Sequence, residues 1–203
     1  MVAVIDYGVG NLFSLSSSLN YLDIANTVTA DKKVIEDADS IILPGVGAFK
    51  DAYRKLEERD MVDFLEKQVK KGKPLLGICL GMQMLFEKSY EYGEHKGLGF
   101  IKGEVSPVSD DIDKSLKVPH MGWNSLIFKQ PSPLFKYIKE GDYVYFVHSY
   151  YAKNCSDYVT AASFYGTDIT AAVQNGNVFG TQFHPEKSGK TGLDILKAFS
   201  EVK

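Results

Sequence analysis

The chain has 203 residues, 44% of them apolar and 12% aromatic, enough to bury one sizeable core in a single domain. A formal charge of −3 gives no broad electropositive field, which argues against nucleic acid as the main ligand, and no apolar run approaches the roughly 18 residues of a membrane helix. Two cysteines, Cys79 and Cys155, allow at most one bridge; a reactive thiol needs a reducing compartment, so a cytoplasmic protein is expected.

Val2 to Ile5 forms an apolar run that Asp6 interrupts at once, and it reads as a buried first strand rather than a secretory signal. Asp6-Tyr7-Gly8-Val9-Gly10 turns the chain, and Asn11 is placed to cap a helix carrying Leu12, Leu15, Leu19 and Leu22 on one side. Ile24 to Thr29 and Ser40 to Leu43 suggest further strands, and Pro44-Gly45-Val46-Gly47 makes a glycine-rich turn before a helix starting near Ala48. Met61 to Lys71 shows helical spacing of Met61, Phe64, Leu65 and Val69, closed by Gly72 and Pro74. A buried strand then breaks at Cys79 and turns helical. In the later half, Leu98 to Val105, Leu116 to Phe128, Tyr143 to Val147, Tyr158 to Phe164, Thr170 to Val173 and Val178 to Phe183 suit short strands. Asn175-Gly176 signals a hairpin between the last two, and a closing helix follows from Thr191. The order favours a three-layer α/β fold, a mainly parallel sheet with an added antiparallel part.

The chemistry concentrates at Gly77-Ile78-Cys79-Leu80-Gly81, where glycines two residues either side of the cysteine let strand and helix approach closely and present its side chain at a strained turn. Free cysteine is usually a small buried hydrophobe, but a strand-to-helix junction places helix N-terminal amides where they favour a thiolate. Farther on, Gln182-Phe183-His184-Pro185-Glu186 offers a base and an acid two residues apart, on one side of an extended chain, where a carboxylate can hold the imidazole. Cys79, His184 and Glu186 are therefore a candidate triad for acyl transfer. Oxyanion donors are available from the Leu80 N–H and from the turn Gly45-Val46-Gly47.

Other signals are weaker. Gly8-Val9-Gly10 opens like a dinucleotide fingerprint, but Phe13 occupies the third glycine position; Asp31 would be its ribose ligand. His95, His120 and His148 are too dispersed in the sequence to specify a metal, so no metal or other cofactor is expected. Cys155 lies in a polar stretch without a neighbouring histidine and reads as an incidental thiol. His148-Ser149-Tyr150 suits a strand-end substrate wall. The single tryptophan, Trp123, is by type either a capped core aromatic or an interface anchor.

Taken together, Leu43 to Phe49, Gly77 to Gln83, Val118 to Asn124, Tyr145 to Tyr150 and Gln182 to Ser188 resemble the class I, or triad, glutamine amidotransferases, over essentially the whole chain. More narrowly they are similar to the subfamily of glutaminase subunits serving imidazole glycerol phosphate synthases. That resemblance implies one glutamine amidotransferase domain over residues 1–203, in which Cys79 forms a γ-glutamyl thioester, His184 moves the proton and Glu186 orients His184. It also implies Gln83, His148, Ser149 and Tyr150 at the substrate, with no cofactor. The implied partner is a (β/α)8 cyclase that consumes the ammonia in histidine biosynthesis, met through Asn11, His120, Met121, Trp123, Asn124 and Lys187. A glutaminase feeding a sugar amination, a stand-alone cysteine hydrolase or an inactive scaffold remain the competing readings.

Overall fold

Alternation at a period of two divides the first strands between two cores. A computed structural model of the chain describes residues 1–203. Strands β1 (Val2–Ile5), β2 (Asn26–Thr29), β3 (Ser40–Gly45) and β4 (Leu75–Cys79) are linked by helices α1 (Leu12–Tyr21), α2 (Lys32–Asp37), α3 (Phe49–Glu58) and α4 (Met61–Lys70). Ala3, Ile5, Ile41, Leu43 and Leu75 join one core with Ile35, Leu56 and Leu65 of the helices on that face. Val2, Val4, Ile42, Leu76 and Ile78 join the other, with Leu15 and Leu19 of α1. Strands buried on both faces read as nearly continuous apolar runs for this reason.

Short helix α5 (Leu80–Met84) follows β4, and the chain then builds a mostly antiparallel annex, in which only β5 and β7 pair in parallel: β5 (Phe86–Ser89), β6 (His95–Lys96), β7 (Ile101–Pro107), β8 (His120–Ser125), β9 (Ile127–Phe128), β10 (Tyr143–His148) and β11 (Tyr150–Lys153). Strands β12 (Val159–Phe164), β13 (Asp168–Asn175) and β14 (Val178–Thr181) and helix α6 (Gly189–Ser200) complete it. The central sheet runs β2-β1-β3-β4-β14-β13-β12-β9; it is parallel from β2 through β14 and antiparallel beyond. Smaller sheets β11-β7-β5-β6 and β10-β8 pack beside it. With α2, α3 and α4 on one face and α1 and α6 on the other, the three layers match the expected α/β fold.

Several local expectations shift. The helix after Cys79 lasts only five residues, and the carbonyl of buried Leu85 accepts from Phe100 and Ile101 instead of from a further helical turn. A helix this short lends little dipole to a thiolate, since the effect grows with aligned peptides. Strands β5, β6 and β11 fall outside the expected elements; β5 and β6 carry charge instead of a clean alternation. The hairpin forms, although Asn175 pairs with Val178 so that Gly176 and Asn177 make the loop. Asp31 caps α2, accepting from the Lys33 and Val34 amides, while Lys55 and Arg59 bond the Gly8 and Asp6 carbonyls of the first turn. That turn is a clamped corner, not a nucleotide cradle.

Ion pairs such as Lys33 with Asp37 and Lys70 with Glu66 lie in solvent, where water and salt screen them and they add little. Each fully buried Leu, Ile or Phe contributes about 1.5–3 kcal/mol, so the two cores, not the surface charges, hold the sheet that carries the site.

Candidate active site

Three glycines fix how Cys79 is presented. A methyl group on Gly81 would lie 1.9 Å from the Leu43 carbonyl oxygen, one on Gly77 2.6 Å from the Gly81 oxygen, and one on Gly45 2.7 Å from the Gly81 nitrogen. Only bare backbone lets α5 sit this close to β3 and β4. Cys79 itself has φ +55° and ψ −111°, a conformation costly for any residue with a β-carbon, and it is held there by the β3 pairing that sets Gly45 opposite it. The strained turn expected from the sequence is thus present, and the thiol is 8% exposed at the floor of a cleft of about 320 Å³.

His184 arrives from the end of β14, next in the parallel ladder to β4. Its backbone N–H donates to the Tyr145 carbonyl at 3.0 Å, tying the segment to β10. The Nδ1–H donates to Glu186 Oε1 at 2.8 Å; both side chains are 3% exposed. With Nδ1 committed to the carboxylate, Nε2 is left for the thiol. Burial by itself pulls the imidazole down, but Cys79 and Glu186 outweigh it and hold His184 up at about 9.

The rest of the cleft includes Val46, Gly47, Leu80, Gln83, Glu91 and Lys187. Gly45, expected among the oxyanion donors, does not line it; it lies beneath, and its missing side chain makes room for α5. Val46 and Gly47 do reach the cleft, the latter at φ +90°. The opposite wall is Val147 to Tyr150, as the strand-end reading expected. Within it His148 spends both ring nitrogens inside the protein, on the Tyr150 carbonyl at 2.9 Å and on His120 at 3.0 Å, so it shapes the wall and has no ring nitrogen left for a ligand. Gln83 likewise gives its amide hydrogens to the Tyr150 carbonyl and to Gln182 Oε1. Burial pushes His148 down to about 3 and His120 to about 4, so both stay neutral.

Two contributors escaped the sequence reading. Gln182, fully buried, points its Nε2 at Cys79 Sγ from 3.8 Å and accepts from Gln83. Its place two residues before His184 was the available signal; Glu186 itself sits in a 3-10 turn, Pro185–Lys187, and not on the extended run the sequence suggested. Glu91 follows β5 and carries a carboxylate into the cleft; its Oε2 accepts from the Phe49 N–H at 2.5 Å, and burial raises it despite that bond. No local pattern marks it, because only the fold of the annex brings it to α3.

The expected interface residues divide. Met121 and Trp123 are 59% and 55% exposed, which excludes a core role for the tryptophan; it stands edge-on to Tyr145. Lys187 is exposed at the cleft, and Asn11, at the N-cap of α1, makes no side-chain capping bond. Asn124 is half-buried and donates to the Phe164 carbonyl. His120 is 2% exposed, stacked between Phe146 and Tyr165, and has no surface to offer a partner. Cys155 is buried rather than in a polar turn, and burial pushes its thiol up to about 11, which leaves it unreactive. No group of three or more His, Cys, Asp or Glu side chains is arranged to hold a metal, and no helix is long and apolar enough to cross a membrane.

The arrangement suits cysteine acyl transfer: a thiol, an imidazole held by a carboxylate, and backbone N–H groups meet around one cleft. Residues 3–201 match the family described as glutamine amidotransferase class-I. The chain is 51% identical to the imidazole glycerol phosphate synthase subunit HisH of Caldanaerobacter subterraneus, across 100% of this chain and 98% of that one. It is 48% identical to the subunit of the same name from Oceanobacillus iheyensis, across 100% and 99%. Among solved structures, a glutamine amidotransferase superposes with a TM-score of 0.75 at 20% identity, covering 98% of this chain and 99% of that one. A chain of the PurLQS structure from Thermotoga maritima gives 0.73 at 22% identity, covering 98% and 96%.

Proposed function

The chain belongs to the class I glutamine amidotransferases, and on that premise we propose that it is the glutaminase of imidazole glycerol phosphate synthesis, releasing ammonia from L-glutamine for a separate (β/α)8 cyclase. The observation that carries the reading is the meeting of Cys79 with the His184–Glu186 pair on the floor of one cleft.

The chemistry runs in two halves. Cys79 Sγ, its proton passed to His184, attacks the side-chain amide carbon of glutamine, and the carbonyl electrons move onto oxygen. The Leu80 N–H and the Val46–Gly47 turn face that developing oxyanion. As it collapses, the C–N bond breaks and His184 returns the proton to the departing nitrogen, which leaves as ammonia. Water, deprotonated by His184, then attacks the γ-glutamyl thioester; the C–S bond breaks, Cys79 recovers its proton and glutamate is released. Glu186 keeps Nδ1 protonated throughout, so Nε2 always faces the sulfur. At the far side of the cleft, the Glu91 carboxylate complements the substrate's α-ammonium group, and the Val147 to Tyr150 wall flanks the aliphatic chain.

The partner docks on the exposed Met121 and Trp123 side chains of β8, with Asn11 and Lys187 as polar contacts, so that ammonia passes directly to the cyclase. Both subunits work in the cytoplasm, where the thiol stays reduced.

The test is glutamine turnover measured with and without the cyclase and its phosphorylated ribulosyl nucleotide substrate. Slow hydrolysis alone, accelerated by cyclase and nucleotide together, is expected. Fast partner-independent turnover points to a stand-alone hydrolase; stimulation by a sugar-aminating synthase instead points to the paralogous role. Failure of diazo-oxo-norleucine to label Cys79 leaves only a scaffold.

A further inference from the structure

We propose that His120 is a positioning residue for the substrate cleft: through the ring of His148 it fixes the Tyr150 carbonyl that holds Gln83. The proposal rests on reading the cleft as the glutamine pocket.

Four contacts form one directed chain. Gln83 Nε2 and His148 Nδ1 each lie 2.9 Å from the Tyr150 carbonyl oxygen. His148 Nε2 lies 3.0 Å from His120 Nδ1, and His120 Nε2 lies 3.4 Å from Asn124 Nδ2. The protons follow from this order. A carbonyl only accepts, so His148 carries its hydrogen on Nδ1. In a neutral ring Nε2 is then an acceptor, and His120 must donate from Nδ1. His120 Nε2 is left as an acceptor, facing the Asn124 amide, whose other hydrogen goes to the Phe164 carbonyl at 2.9 Å. Every donor along the chain meets an acceptor, and no alternative pair of neutral tautomers satisfies both ends.

The geometry is tight enough to transmit position. His120 and His148 sit directly opposite each other in the β8–β10 pairing. The His120 ring is held on two sides, its centroid 4.7 Å from Phe146 and 4.3 Å from Tyr165. Gln83, at the other end, also bonds Gln182, the residue whose amide points at Cys79 Sγ. Besides the backbone bond from Val108 to the Ser149 carbonyl and the β7–β11 ladder, the wall facing Cys79 is therefore anchored through side chains 28 and 67 residues apart in sequence. A loss at His120 frees His148 Nε2 without an acceptable buried partner and loosens the Tyr150 carbonyl, whereas the triad touches none of these atoms.

The experiment compares two substitutions with the wild-type chain in complex with the cyclase. His120→Phe keeps the aromatic stack but removes the donor; His120→Asn places an amide N–H where Nδ1–H was. The expected result is a KM for glutamine raised about tenfold in His120→Phe with kcat altered less than about twofold, and recovery of KM to within about threefold in His120→Asn. Nitrogen-15 NMR of the wild-type histidines at pH 7 should show both rings neutral and both protonated at Nδ1, an arm that needs no substrate and no variant that folds. An unchanged KM in His120→Phe, an Asn variant no better than the Phe variant, or an Nε2-protonated or charged His148 overturns the relay. If wild-type chain and cyclase turn over no glutamine at all, the functional reading fails, while the NMR result still decides whether the relay exists.

Discussion

The two sides of the cleft are built in different ways. On the elbow side, β3, β4 and α5 are pressed together by the absence of side chains at Gly45, Gly77 and Gly81, and Cys79, the proposed nucleophile, is set by backbone geometry. On the annex side, the β8–β10 ladder and the Tyr150 segment are joined to each other and to α5 by side-chain hydrogen bonds among His120, His148, Gln83 and Gln182. The first arrangement tolerates no added atom; the second tolerates no lost donor. Rigidity at the reacting sulfur comes from packing, which deforms little, and definition of the opposite wall comes from directed bonds, which depend on protonation.

The sharpest break of the comparison is on the elbow side. Cys79→Ala should lower glutamine hydrolysis by about 10⁴-fold or more, read as ammonia release, while leaving use of added ammonium by the complex intact. Retained hydrolysis would remove the triad. Next, Gly81→Ala should cost about 3 kcal/mol or more, measured as the shift in urea midpoint, because the new methyl meets a carbonyl that sits in a sheet. Near-normal stability there would mean that the β3–α5 contact yields.

The annex side should respond to acid instead. His120 and His148 titrate at about 4 and about 3 in the folded chain, below the ordinary 6.5, so the unfolded chain binds protons that the native one refuses. The stability they confer is complete above pH 6.5 and drains away as pH falls toward those values. Denaturation followed from pH 7 to pH 4 should show that slope, and His120→Phe should flatten it; an identical slope in the variant assigns acid sensitivity elsewhere. His184 runs the other way: its value is raised to about 9, so its contribution is whole below 6.5 and is lost as pH climbs through 9.

Smaller effects test the outer surface and the strain. Trp123→Ala should weaken cyclase binding about tenfold, by titration calorimetry, while moving stability by no more than about 0.5 kcal/mol. The reverse pattern would make the tryptophan structural despite its exposure. Cys79→Gly should be about 1 kcal/mol more stable than Cys79→Ala by thermal melting, since only glycine accepts the positive φ at that position without strain.

Much of the site was legible before any fold was seen, and the reason differs by residue. Cys79 announced itself because glycines at fixed offsets around a cysteine are a local demand of a tight strand-to-helix turn. His184 and Glu186 did so because a base and an acid stand two residues apart, although the structure brings them together through a 3-10 turn at Pro185–Lys187 and not through the extended run expected. Gly45 carried the right type in the right loop, yet its place beneath α5 depended on how closely a helix was laid across it. His120 sits in the same short run as Met121 and Trp123 and was grouped with them as surface. Strand alternation, which sends neighbours to opposite faces, separates them in the structure.

The sequence by itself determined the α/β layering and singled out Cys79, His184 and Glu186 as the proposed nucleophile, base and acid, because each signal depends on spacing within a few residues. Only the tertiary structure decided that Glu91 reaches the cleft, that Gln182 bridges Gln83 and Cys79, and that two histidines far apart in the chain face each other in the cleft wall. Those contacts join strands whose pairing is fixed by burial across the whole sheet, and no local pattern carries that information.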